Sequence, residues 1–320
     1  MRAWLLLALV SLAACSGSAR QPEWLNNPHS HYAAETHFTA VGQGSSRALA
    51  GDRALANLAK QFAVAVDEAS VDITRSHTGS TLPGLQTEQD VARELRTQTR
   101  QLLEGATVVE YWEDPAGEIH ALAVLDRVAT GQRLRRDIQH ADREIGSLLV
   151  YASTTADNPV AALHALRQAR QAAQQREATE RKLMVVSGQG VPSAHPLAEV
   201  DATLRNALAT LRVSVQADSP VLRAGLEDAL IHIGVGILPE ASLRLVATLD
   251  TAPPYAEAGW HWLWGAYALS LQDQGRVLSQ LRRPLKLSAR DPNLLEQRAK
   301  DEMSQILPDA VMELFTQAPN

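Results

Sequence analysis

Few side chains in this sequence are placed to do chemistry, and the most reactive of them stands alone. Cys15 is the only cysteine among 320 residues, so the chain can form neither an internal disulfide nor a Cys-based zinc site. A lone thiol left free in an oxidising compartment would be a liability, which points to a thiol that is used up. The second group is aromatic. Trp260, Trp262 and Trp264 alternate along an expected strand, so the three indoles share one face while Leu263, Tyr267, Leu269 and Leu271 share the other. If helices meet the leucine face, the indoles offer a platform for glycan, peptide or a partner protein; if the helical bundle covers them, they are packing residues. His29, His31 and His37 lie close in sequence, but their spacing matches no closed metal-ligand set. Arg133, Arg135, Arg136, Arg282 and Arg283 are candidates for anionic headgroups or cell-wall carboxylates, or else a solvated face and edge protection. Glu110, Glu113 and Asp114 flank an expected hairpin turn, where solvation explains them. Gly42-Gln43-Gly44 precedes a helix, yet Arg47 stands where a dinucleotide fingerprint needs its third glycine, which leaves a turn or close packing.

The residues around Cys15 say what becomes of its thiol. Arg2 supplies a positive charge, residues 3–10 are apolar, and Leu12-Ala13-Ala14 leads into the cysteine. That apolar run is well short of the roughly 20 residues needed to span a bilayer, so it reads as a signal peptide. The order Leu, small, small, Cys resembles the lipobox of bacterial lipoproteins. The resemblance implies a diacylglyceryl thioether on Cys15 and cleavage just before it, with palmitate-type acyl chains holding the protein to the membrane. Ser16 follows, and by the behaviour of such lipoproteins the absence of Asp there implies transport to the outer membrane, with the chain facing the periplasm. Each buried methylene adds about 0.8 kcal/mol, so two or three chains make a lasting anchor where one does not. Residues 16–22 reach at most about 25 Å, which keeps the folded part near the bilayer.

Composition excludes some functions. The chain is 45% apolar and long enough for about two domains. With 30 Lys and Arg against 36 Asp and Glu, its formal charge is −6, and no basic block tracks a phosphate backbone, so nucleic acid is not an expected partner. There is no Gly-x-Ser-x-Gly, no His-Glu-x-x-His and no phosphate loop. No enzyme, no cofactor and no metal is therefore expected.

Periodicity supplies the elements that must carry these residues, and the expected class is α+β. A signal peptide over 1–14 and a tether over 15–22 lead to a helix-on-sheet module over 23–128. In that module a short strand at 37–42 precedes an Ala-rich helix with Leu55, Leu58, Ala59, Phe62 and Val66 on one face. After a polar stretch, a second helix carries Val91, Leu95 and Leu102. Strands at 108–112 and 119–125 flank Asp114-Pro115-Ala116-Gly117, a hairpin turn. Residues 129–211 read as a helical hairpin or small bundle acting as a spacer, with Leu134, Ile138, Ala141, Ile145 and Leu148 in its first stripe. The module over 212–320 is expected to hold a strand, a helix opened by Ser219-Pro220, a three-stranded antiparallel meander at 242–250, 260–272 and 277–287, and flanking helices. Pro284 places the third of those strands at an edge, and Pro308 is expected to kink or break the final helix.

Several stretches, Pro22-Glu23-Trp24 with Pro28, Ala40-Val41-Gly42-Gln43-Gly44, the Ala-rich helix, the hairpin Val109 through Gly117, and Ala121-Leu122-Ala123-Val124-Leu125-Asp126, together resemble the Lpp-twenty family of bacterial outer-membrane lipoproteins. The resemblance covers the lipobox and residues 22–127. It implies an α+β envelope module with no known reaction, and in some relatives a link to flagellar function or surface antigenicity. It supplies no catalytic residues. The expectation is a non-enzymatic, lipid-anchored binding or scaffold module with an envelope-protein or cell-wall partner; a flagellum-associated structural lipoprotein and a cell-wall-acting enzyme are the alternatives.

Overall fold

The computed structural model describes residues 20–74 and 104–318. Cys15, the leader and the expected helix carrying Val91, Leu95 and Leu102 lie outside them. The described chain divides into two compact units, residues 20–65 with 104–130, and residues 66–74 with 131–318.

In the first unit, β1 (His37–Gly44), β2 (Ala106–Glu113) and β3 (Ile119–Asp126) form an antiparallel sheet in the order β1-β3-β2. The helix α1 (Arg47–Thr74) buries Ala50, Ala54, Leu58, Ala59 and Phe62. Its stripe is turned from the expected one, since Leu55 is only half-buried while Ala50 and Ala54 are enclosed. Gly42 is the cause. A Cβ built there would lie 2.1 Å from the Ala54 nitrogen and 2.5 Å from the Ala50 carbonyl oxygen, so helix and strand touch backbone to backbone and admit only alanine around the contact. Trp24, in a 3-10 turn over Glu23–Leu25, is 1% exposed and packs with Leu122 and Val124. The hairpin turn forms at Asp114: its Oδ1 accepts from the backbone N–H groups of Ala116 and Glu118, each at 2.8 Å, and Gly117 takes a φ of 85°. Those hydrogen bonds hold the Asp114 carboxyl below the usual carboxylate range; burial opposes them, and His120 lowers it further.

The second unit combines helices with a six-stranded mixed sheet. Its helices are α2 (Arg127–Val150, from Gly131 onward), α3 (Pro159–Ser187), α4 (Leu197–Thr210), α5 (Pro220–His232) and α6 (Pro292–Thr316). Its strands are β4 (Arg212–Ala217), β5 (Gly236–Ile237), β6 (Leu243–Thr251), β7 (Tyr255–Glu257), β8 (Trp260–Asp273) and β9 (Arg276–Ala289). The antiparallel run β6, β8, β9 is part of a larger sheet, because α5 returns the chain so that β4 pairs in parallel with both β5 and β6. On β8, β9 pairs along nearly the whole strand, β6 covers Gly265 to Asp273, and β7 covers Trp260 to Trp262. Pro284 lies on β9, which pairs only with β8, the edge position where a residue without an N–H is tolerated.

The helices over 129–211, expected as a spacer, share a core with this sheet. Val160, Leu163 and Leu166 of α3 and Leu204 and Leu208 of α4 are buried together with Leu226 and Leu230 of α5, Leu269 and Leu271 of β8, and Leu307, Val311 and Phe315 of α6. Helix α6 runs through Pro308 unbroken. An interior proline costs about 3 kcal/mol, whereas burying each large apolar side chain returns about 1.5–3 kcal/mol, and Val311, Met312, Leu314 and Phe315 beyond it are all enclosed.

Two measurements check these contacts. Gly42→Ala is expected to lower unfolding stability by about 1–3 kcal/mol, the cost of overpacking, read as a shifted denaturant midpoint; an unchanged midpoint would mean that β1 and α1 do not touch. The depressed Asp114 carboxyl contributes stability above the ordinary carboxylate range that is lost as pH falls through its lower folded value. Asp114→Asn keeps the accepting oxygen and is expected to flatten the acid limb of the stability profile below about pH 4. Superimposable profiles for the two proteins would count against that cause.

Candidate functional site: the outer face of β8

The period of two on β8 decides which side chains meet the helices. Tyr267, Leu269 and Leu271 face the core, where burial raises the Tyr267 hydroxyl above its usual pKa. Leu263 packs beside them with Leu285, Leu287 and Leu295. Trp260, Trp262 and Trp264 therefore point to the other side. Among the described residues no helix of this unit buries them: Trp260 and Trp262 are half-buried, and Trp264 is 44% exposed.

What covers the first two indoles is charge and a neighbouring strand. The Lys286 Nζ sits 4.3 Å from the centre of the Trp264 ring and 5.3 Å from that of Trp262. The Arg290 guanidinium lies 5.2 Å from the Trp260 ring. These are cation–π distances, each worth about 0.5–2 kcal/mol according to how dry the contact is. The register explains them, since β9 places Lys286 opposite Trp264 and Ser288 opposite Trp262. On the other flank β7 sets Tyr255, 45% exposed, opposite Trp262 and Glu257 opposite Trp260. Lys286, Arg290 and Tyr255 were not legible as parts of the site before the strands were paired. The available signal was the spacing of four between Arg282, Lys286 and Arg290, which puts the first two on one face of β9 and the third just past its end.

Gly265 lets the face form. It stands where β6 leaves β8, and a Cβ there would lie 2.3 Å from the Asp250 carbonyl oxygen. Along the same face beyond it come Ala266, Ala268 and Ser270, flanked by β6 and β9 side chains around a concavity of about 520 Å³.

The other singled-out residues are placed differently. His31 Nδ1 lies 3.3 Å from Glu110 Oε1, His29 meets the Tyr32 carbonyl at 3.1 Å, and His37 meets the Thr36 hydroxyl at 2.9 Å. Among the described residues no group of three or more His, Cys, Asp or Glu is arranged to hold a metal ion. Glu113 is exposed, and Asp114 serves the turn. Arg136 is exposed on α2, with Arg133 and Arg135 half-buried. Arg283 donates to Glu313 at 2.6 Å, and Arg282 to Asp250 at 3.3 Å. Arg176 of α3 is not among the residues singled out above: 1% exposed, it bonds to Asp142 of α2 at 3.0 Å, to Glu180, and to the Val191 carbonyl at 2.7 Å.

Among the described residues no helix is long and apolar enough to cross a membrane. No curated protein matches the chain. Among solved structures, a secreted protein from Helicobacter pylori is 13% identical with a TM-score of 0.48, the alignment covering 88% of this chain and 98% of that one. A lipoprotein from Caulobacter crescentus is 19% identical with a TM-score of 0.26, covering 36% of this chain and 91% of the other. A minor lipoprotein from Acinetobacter baumannii is 15% identical with a TM-score of 0.23, covering 33% and 87%. The LPP20 lipoprotein family model matches residues 22–126, which hold β1, α1, β2 and β3. Residues 22–126 are similar to the LPP20 lipoprotein family, and the rest of the described chain lies beyond that match.

Proposed function

We propose that this protein is a non-enzymatic binding module of the outer membrane, anchored through lipid on Cys15 and facing the periplasm, with the outer face of β8 as its docking surface. The observation that carries the reading is the sidedness of β8. Tyr267, Leu269 and Leu271 are buried in the core on one side, while Trp264 and the nearby Tyr255, Thr248 and Lys286 stay open on the opposite side. Indoles left half-solvated in a chain with a large apolar core are unusual unless something else covers them in use. The anchor fits the same role. A lipobox before a single cysteine confines the protein to a surface, where a partner is met at raised effective concentration.

Both halves of the proposal can be measured in cells. The mature N-terminal peptide is expected to carry a diacylglyceryl group on Cys15, and Cys15→Ala should move the protein out of the outer-membrane fraction; an unmodified Cys15 in the mature protein overturns the anchor. A photoreactive residue at position 248, on the open face, should give a discrete adduct in intact cells. The same probe at 231, an exposed position on α5, should not. No adduct at 248, or equal adducts at both, overturns the docking surface.

A further inference from the structure

The indole face does not stop at Trp264. Ala266, Ala268, Ser270 and Gln272 share its parity, so one continuous face runs from Trp260 to Gln272, roughly 40 Å along a single strand. Its middle is floored by alanine and serine, and the flanking side chains of β6 and β9 stand above that floor as walls. The resulting concavity of about 520 Å³ is lined by Val246, Thr248, Ala268, Ser270, Gln280 and Arg282, among others. The β9 flank of the face is cationic, at Arg282 beside the concavity and at Lys286 and Arg290 further along. Arg282, Lys286 and Arg290 recur every four residues, and all three are exposed.

We propose that this groove binds an acidic glycan, a chain of N-acetylated sugars carrying carboxylates, which is the chemistry of a peptidoglycan strand. The assignment deepens the docking role proposed above and rests on it. Three features select this occupant. First, the face runs roughly 40 Å along a single strand, which suits an extended polymer. Secondly, the concavity is lined by hydroxyl and amide groups, from Thr248, Ser270 and Gln280, and the aromatic surface of Trp264 and Tyr255 lies further along the same face. A sugar ring presents hydroxyls at its rim and an apolar C–H face, and needs both kinds of surface. Thirdly, the charge is complementary. The whole chain is acidic at −6, yet the β9 flank is positive, and its Lys286 and Arg290 rest on indole rings. Among the described residues no carboxylate pairs with either of them.

Other occupants fit less well. A peptide added as a strand needs an unpaired sheet edge, whereas this is the face of a strand paired on both sides. A bilayer favours a protruding apolar surface, whereas the centre of this face is concave and edged by Asp250 and Arg282.

The test uses the mature chain with Cys15→Ala, so that acyl chains do not drive binding by themselves. Three probes are presented in parallel: purified peptidoglycan sacculi, chitin as an uncharged N-acetylated glycan, and vesicles of phosphatidylglycerol with phosphatidylcholine. The chain is expected to co-sediment with sacculi, more weakly with chitin, and not with vesicles. Lys286→Glu should weaken sacculus binding by about tenfold or more. Lys286→Arg should keep it, and Trp264→Ala should weaken binding to both glycans. Circular dichroism and unfolding midpoints close to those of the parent exclude misfolding; Trp264 and Lys286 are exposed, so little loss of stability is expected. Absence of sacculus binding, binding indifferent to Lys286→Glu and Trp264→Ala, or vesicle binding lost in those variants each overturns the glycan assignment. An adduct to a protein at position 248 in cells, with no binding to sacculi, overturns the glycan and leaves the docking role standing. No adduct of any kind overturns both.

Discussion

Among the described residues of this unit, helices cover one face of the six-stranded sheet, and the two-residue period of β8 makes that a constraint on each side chain of the strand. Leu269 and Leu271 are buried because α5 and α6 lie over them; the indoles are outside because they are of opposite parity. A register slip of one residue would drive the indoles into a closely packed core and expose the leucines. Local devices pin the register. Gln274 and Gly275 both take positive φ, 48° and 86°, the conformation of a two-residue hairpin turn whose twist matches its strands. At the other end Gly265 admits the Asp250 backbone where no side chain would fit.

Keeping one face open requires that the helices stay together on the other. Apolar burial does most of this, but α3 also carries two enclosed guanidiniums. Arg170 donates to Asp201 of α4 at 2.7 Å, and Arg176 holds Asp142 of α2 together with the loop carbonyl of Val191. A buried ion pair adds little net stability against an apolar substitute, because desolvation consumes much of the Coulomb gain. What it adds is selectivity of arrangement. A helix slid by one turn would leave a guanidinium without its acid in a dry site, a state costing several kcal/mol, so α2, α3 and α4 have one good alignment.

The sequence made the strands and their faces readable wherever a period ran undisturbed. The alternation from Trp260 to Leu271 and the turn at Asp273-Gln274-Gly275 could be read directly. The stripe of α1 was read slightly rotated, because the selecting contact is with Gly42, and a missing side chain leaves no periodic trace. Arg176 sits in a helix rich in Arg and Gln, and its burial depends on Asp142 and the Val191 carbonyl, contributed by other parts of the chain. The helices at 129–211 looked separable for a similar reason. Their apolar stripes show that something is covered, but which partner covers them is a tertiary fact, here the sheet and α6. The site followed the same pattern, with the indoles visible in one strand and the cations above them visible only once β8 and β9 were paired.

The placement of those cations bears on what the face does. Arg283 is neutralised by Glu313, and Arg282 shares Asp250, so both have anionic partners within the protein. Lys286 and Arg290 rest instead on π faces. A ring quadrupole attracts a cation without supplying a formal negative charge or accepting all of its N–H donors. Their side chains are thereby partly ordered before any ligand arrives, which lowers the entropy lost on binding. A charge held in this way is oriented but not neutralised, and it stands beside the open edge of Trp264. The combination favours a partner that brings both carboxylate and apolar ring surface, and disfavours one that brings either alone.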